Sequence, residues 1–154
     1  MTTLKQVFAE GLATIGRRLQ GFRSAGTIEV GVINDATNAS KLVFSEMGTN
    51  SAPARPSLSA AFDATQGDIE QLVDDGVQKV VLEGADSADA LAPAGELLVA
   101  RTRQTIDQRV DPPLAPATVR SRAQRGNTST LPLKDTGAMY DALTFRVTGG
   151  GRDG

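Results

Sequence analysis

Residues 111–147 read DPPLAPATVRSRAQRGNTSTLPLKDTGAMYDALTFRV, a series of short structural devices in fixed order. Pro112 and Pro113 end the preceding helix, because proline donates no backbone N–H and pushes its predecessor away from helical geometry. Leu114 to Thr118 opens a second short helix. An arginine-studded loop carrying Arg120, Arg122 and Arg125 is expected after it. Leu131 to Gly137 (LPLKDTG) then leads into a helical turn over 138–143, with Asp135 or Thr136 as its cap. Thr144 to Thr148 alternates like a strand.

Working outward, Thr27 to Ile33 (TIEVGVI) is the other strand-like run, alternating and rich in β-branched residues. Strands at opposite ends with helices between them predict an α+β fold, a small antiparallel sheet packed with several amphipathic helices. A third strand is expected from 49–56. Leu4, Val7, Phe8, Leu12, Ile15 and Leu19 repeat at helical spacing over residues 3–20, which Gly21 and the Ser24–Gly26 step should end. Asn34–Asn38 reads as a polar loop, and Lys41–Met47 as a short helix stopped by Gly48. Pro53 and Pro56 stiffen the loop 49–56. Ser57–Ala64 predicts a helical turn, and 65–84 a long helix with its stop near Gly84. Ala88–Val110 predicts a further helix in which Pro93 belongs in the first turn. Small residues Ala90, Ala94 and Gly95 permit close helix packing there. Residues 1–148 read as a single α+β domain and 149–154 as a flexible tail.

A chain of 154 residues suits one domain with a modest core. Its aromatics are Phe8, Phe22, Phe44, Phe62, Phe145 and Tyr140, so aliphatic side chains must fill that core, with part of the stability drawn from neighbouring subunits. With no cysteine there is no disulfide framework and no thiolate metal site. With no histidine the commonest general base and metal ligand is missing. No apolar run approaches the roughly 20 residues of a membrane span, and no signal segment is read at the start. A chain made and kept in a cytoplasm-like compartment, or in a particle assembled there, is expected.

A net charge of −2 hides an asymmetry. Asp63, Asp68, Glu70, Asp74, Asp75, Glu83, Asp86, Asp89 and Glu96 stand against Lys79 alone. From Leu98 onward Arg101, Arg103, Arg109, Arg120, Arg122, Arg125, Lys134, Arg146 and Arg152 reverse the balance. Segregation of this kind suits a subunit that presents one face to the opposite face of a neighbour. Two solvated faces of opposite sign would read the same way.

Candidate chemistry is sparse. Asp135-Thr136-Gly137 matches the triplet of aspartic proteases, whose Asp shares a proton with a second carboxylate. Here Pro132 and Lys134 precede it where an apolar strand belongs, and a helix-like AMYDAL follows, so a cap is the better reading. Neither GxGxxG nor GxxxxGK[ST] occurs, and Asp74-Asp75 lacks the loop of a calcium site. No cofactor or metal is expected. The arginine segment would meet either DNA phosphates or an acidic patch on a neighbour. No aromatics interleave with it and the chain is mildly acidic, which favours protein over DNA.

The order PPL-x-P-x-T, basic loop, PL-x-DTG, short helix, strand resembles the tail-completion or neck proteins of long-tailed DNA phages. Phe44-Ser45-Glu46-Met47-Gly48-Thr49 with Pro53-Ala54-Arg55-Pro56-Ser57-Leu58 is similar to that family's "EFGT … PARPFL" element, so the resemblance spans roughly residues 25–148. Met47 and Ser57 stand where that family often has Phe. The resemblance implies a non-enzymatic, ring-forming virion subunit at the head–tail junction, assembled in the host cytoplasm. It implies a homo-oligomer, a hexameric ring by the family's location, meeting head-closure or connector proteins and tail-tube or tail-terminator proteins, with non-specific contact to DNA in the channel. Arg55, Arg120, Arg122, Arg125 and Lys134 become the expected partner contacts. Gly48, Pro53, Pro56, Pro112, Pro113, Asp135 and Gly137 become its turns and caps. A minor capsid or head-closure component is the nearest alternative. A protease built on the DTG triplet, or a prophage-encoded DNA-binding regulator, represents another class.

Overall fold

A computed structural model of the chain describes residues 13–15, 17, 27–108 and 110–148. Residues 13–15 and 17 are helical; the rest of the helix expected over 3–20, its stop at 21–26 and the tail 149–154 lie outside the described residues. The elements are β1 (Thr27–Gly31), α1 (Ala36–Met47), α2 (Leu58–Gln78) running on into a π-helical turn (Lys79–Glu83), α3 (Ser87–Asp107), α4 (Pro116–Gln124), α5 (Ala138–Asp141) and β2 (Thr144–Thr148).

The two strands pair as an antiparallel sheet, so the α+β architecture expected from the sequence is present. Glu29 lies opposite Arg146 and the two form an ion pair. Thr148 Oγ1 donates to the Thr27 carbonyl at 3.3 Å. β1 stops at Gly31, two residues short of expectation. The third strand does not form: residues 49–56 contribute only the bridge Thr49–Ala52. Pro53 and Pro56 donate no N–H, so no ladder can extend through them.

Helix boundaries moved for identifiable reasons. α1 begins at Ala36 rather than Lys41, because Asp35 is its N-cap and accepts from the Asn38 N–H at 3.0 Å and from Asn38 Nδ2 at 2.6 Å. The polarity that read as a loop over 34–38 is therefore the cap itself. Gly48 ends α1 as expected, with φ 74° and its N–H bonded to the Phe44 carbonyl. A Cβ there would sit 2.8 Å from the Ala54 nitrogen, so the close return of the loop demands glycine as well. The turn at 57–64 and the helix at 65–84 are one helix, since nothing between them breaks it. Thr65 Oγ1 bonds back to the Ala61 carbonyl at 2.7 Å, inside the helix. α3 ends at Asp107, short of Val110, and holds Pro93 as its seventh residue, past the first turn. The Asp89 carbonyl accordingly lacks its usual helical donor there. Residues 114–124 are mostly helix: Arg120 and Arg122 lie on α4, and Arg125 is its C-cap, not part of a loop.

The fold divides into two compact units. One holds 30–66 and 96–145, with Leu42, Val99, Ile106, Met139 and Leu143 as its buried core. Val30, Val32, Leu58, Leu133, Tyr140 and Phe145 pack against that core. The other includes 27–29, 67–95 and 146–148. Within it Gly76 of α2 meets Ala90 of α3 so closely that a Cβ at Gly76 would lie 2.6 Å from the Ala90 carbonyl oxygen. Buried Ala90 and Ala94 are the small residues expected to permit such an approach.

Candidate interaction site

The candidate surface is built from residues 111–137 and the loop that precedes α2, all within one unit. α4 opens on Pro116, which suits a first-turn position whose N–H needs no helical partner. Val119 and Arg122 lie three residues apart, one turn of helix, and turn toward the unit's interior. Arg122 is 4 % exposed. Its guanidinium donates to the carbonyls of Ser129 (3.2 Å), Leu131 (2.8 Å) and Pro132 (3.2 Å), and its Nε lies 3.2 Å from Asp135. One buried cation thereby ties α4 to the whole LPLKDTG segment. Asn127 completes the arrangement, donating to Asp135 Oδ1 at 2.6 Å and to the Asp135 carbonyl at 2.7 Å.

Asp135 is therefore not a helix cap. Gly137, at φ 83°, occupies the N-cap position of α5 with no side-chain cap bond, and Thr136 Oγ1 accepts from the Ala138 N–H only at 3.4 Å. Asp135 instead balances Arg122 and, at 3.5 Å, Arg125.

The other expected contact residues separate by role. Arg55 lies on the PARPSL loop; its backbone N–H donates to the Ser45 carbonyl at 2.6 Å. Its guanidinium grips the carbonyls of Pro112 (2.6 Å) and Pro113 (3.1 Å). Lys134 donates to Asp107 at 2.9 Å and stands 4.0 Å from the Tyr140 ring centre, while the Tyr140 hydroxyl donates to the same carboxylate. The hydrogen bond from Lys134, joined by that from Tyr140, holds the Asp107 carboxyl below its ordinary range, and the same bond raises Lys134. Arg55, Arg122 and Lys134 are thus engaged inside the subunit. Arg120 and Arg125 face outward; Arg120 has no ion pair among the described residues.

Glu46 is a structural landmark that residue patterning missed, since it read as part of a helix C-terminus. Its carboxylate accepts from the backbone N–H groups of Ser57 (2.7 Å), Leu58 (2.8 Å) and Ser59 (3.2 Å) and from the hydroxyls of Ser57 and Ser59. It thereby satisfies the open donors at the start of α2 from eleven residues away. Partial burial pushes its pKa up; the hydrogen bonds from Ser59, Leu58 and Ser57 outweigh that and leave it lowered. The signal available in sequence was Ser57 and Ser59 at a helix start with no acid of their own in the first turn.

Beside this framework lies a cavity of about 210 Å³, lined by Lys41 of α1 and by Pro132, Leu133 and 135–139. On the outer side of α1, Val43, Phe44 and Met47 are 51, 58 and 79 % exposed, opposite the buried Asn38 and Leu42. Among the described residues no cluster of acids could hold a metal, and no helix is long and apolar enough to cross a membrane. No family model, curated protein or solved structure matches the chain.

Proposed function

We propose that the chain is a structural subunit at the head–tail junction of a tailed phage or phage-derived particle, a tail-completion or neck protein acting by assembly. Copies associate head-to-tail into a closed ring around an axial passage for DNA and meet head-closure and tail proteins on its two sides. Within that role the outward face of α4, with Arg120 and Arg125, is the polar contact, and the net charge of −2 with no aromatics interleaved favours an acidic protein surface over nucleic acid.

One observation supports the reading most. The two sequence blocks that carry the family resemblance, 44–58 and 111–137, interlock through Arg55, which bonds the first block at Ser45 and the second at Pro112 and Pro113. Two motifs tied together by a single guanidinium behave as one structural unit, which is what a shared assembly module requires.

The test is deletion of this gene in a phage that carries it, with electron microscopy of the lysate. Separate heads and tails are expected, restored to joined particles by the wild-type chain. The Arg120→Glu, Arg125→Glu variant, folded by its melting curve, should fail to restore them. Joined, infectious particles in the deletion strain would overturn the proposal.

A further inference from the structure

We infer that the cavity beside the LPLKDTG segment is a socket for the Leu82–Glu83 corner of a second copy of this chain. This rests on the assembly reading and names the contact through which copies would join.

The socket is preorganised. Its floor is apolar, from Pro132, Leu133 and Met139, and its wall is fixed because Arg122 holds the carbonyls of Leu131 and Pro132. At about 210 Å³ it falls below the roughly 300–1,000 Å³ typical of small-molecule pockets and suits one apolar side chain. Its charge is also defined. Asp135 at the rim is balanced by Arg122 and Arg125, whereas Lys41 donates to the neutral Asn38 side chain and feels the Asp35 carboxylate only at longer range, without an ion pair among the described residues, so the least balanced charge at the socket is positive. The matching knob is an exposed apolar residue of modest size beside an acid.

Within the chain Leu82 meets that description best. It is 72 % exposed, in the turn closed by Gly84 in the left-handed conformation, and exposed Glu83 follows it without an ion pair among the described residues. Met47 is as exposed, but the acid beside it, Glu46, is consumed in holding α2. Phe62 with Asp63 is less exposed and lies within α2. Leu82 seated over Met139 would bring Glu83 to Lys41. Knob and socket are different surfaces, so the contact is heterologous and propagates into a ring when its rotation closes.

The chain has no native cysteine, so single-cysteine copies report the contact directly. Leu82→Cys and Thr136→Cys proteins, each checked by melting, are mixed and mildly oxidised. A disulfide-linked heterodimer should exceed either homodimer. Its yield should fall about tenfold when Lys41→Glu is added to the socket copy, equivalent to about 1.4 kcal/mol. Adding Glu83→Lys to the knob copy should restore it. No excess of heterodimer, or a yield indifferent to charge reversal, overturns the contact. Without a cross-link, a chain that still enters particles loses this contact while the assembly reading stands. A charge-dependent cross-link in a chain that no particle contains keeps the contact and removes that reading.

Discussion

Arg120 and Arg122 are two positions apart on α4, and one faces solvent while the other is 4 % exposed and bonds three carbonyls and a carboxylate. Arg122→Ala should cost about 1–3 kcal/mol, because three carbonyls lose their donor while Asp135 keeps Arg125 and Asn127. Arg120→Ala should stay within about 0.5 kcal/mol. Urea unfolding of the two variants checks this, and similar midpoints would show that the buried clamp carries no stability. Glu46 belongs to the same scale. Its folded pKa lies below the ordinary 4.5, so its contribution is fully present above that value and is lost as pH falls through the lowered folded pKa. Glu46→Ala should lose about 1–3 kcal/mol at neutral pH. Glu46→Gln should flatten the fall in stability below about pH 4.5. A pH series of melting curves parallel to wild type would show that the carboxylate does not hold α2 in this way.

At the scale of elements, two glycines of α2 make a paired prediction. Gly67 has nothing within 4 Å of a built Cβ, so Gly67→Ala should stabilise by about 0.5–1 kcal/mol through helix propensity alone. Gly76 abuts the Ala90 carbonyl, so Gly76→Ala should destabilise by about 1–3 kcal/mol as α2 and α3 are forced apart. Thermal melting decides it, and a stabilised Gly76→Ala would show that the two helices can separate freely. The elements that were legible in sequence are those with a strong local signal: the alternation of 144–148, the stop at Gly48 and the stop at Gly84. What was not legible depended on distant partners or on reading polarity one way only. Asp35 looked like a loop residue because capping residues and turn residues are the same residue types. Pro93 was expected at a helix start, yet the helix around it tolerates its missing donor.

For the molecule as a whole, the α+β class followed from two strand-like runs at opposite ends, a pattern that propensity can show. The interaction site was legible as a list of residues but not as a division of labour. Five cations were grouped by charge, and the structure buries Arg122 and pairs Arg55 and Lys134 with carbonyls and a carboxylate of the same subunit while leaving Arg120 and Arg125 exposed. The signal for Arg122 was its place one helical turn after Val119, where an apolar side chain would ordinarily stand. The two arginine clamps have a further consequence for how this architecture diverges. A guanidinium that grips main-chain carbonyls is indifferent to the side chains those carbonyls carry, so residues at 112, 113, 129 and 131 can drift without any matching change at 55 or 122. Pairwise covariation would pass over the grip of Arg55 and register Arg122 only through its ion pair with Asp135, so descendants keep the same skeleton long after most of their sequences have ceased to resemble one another.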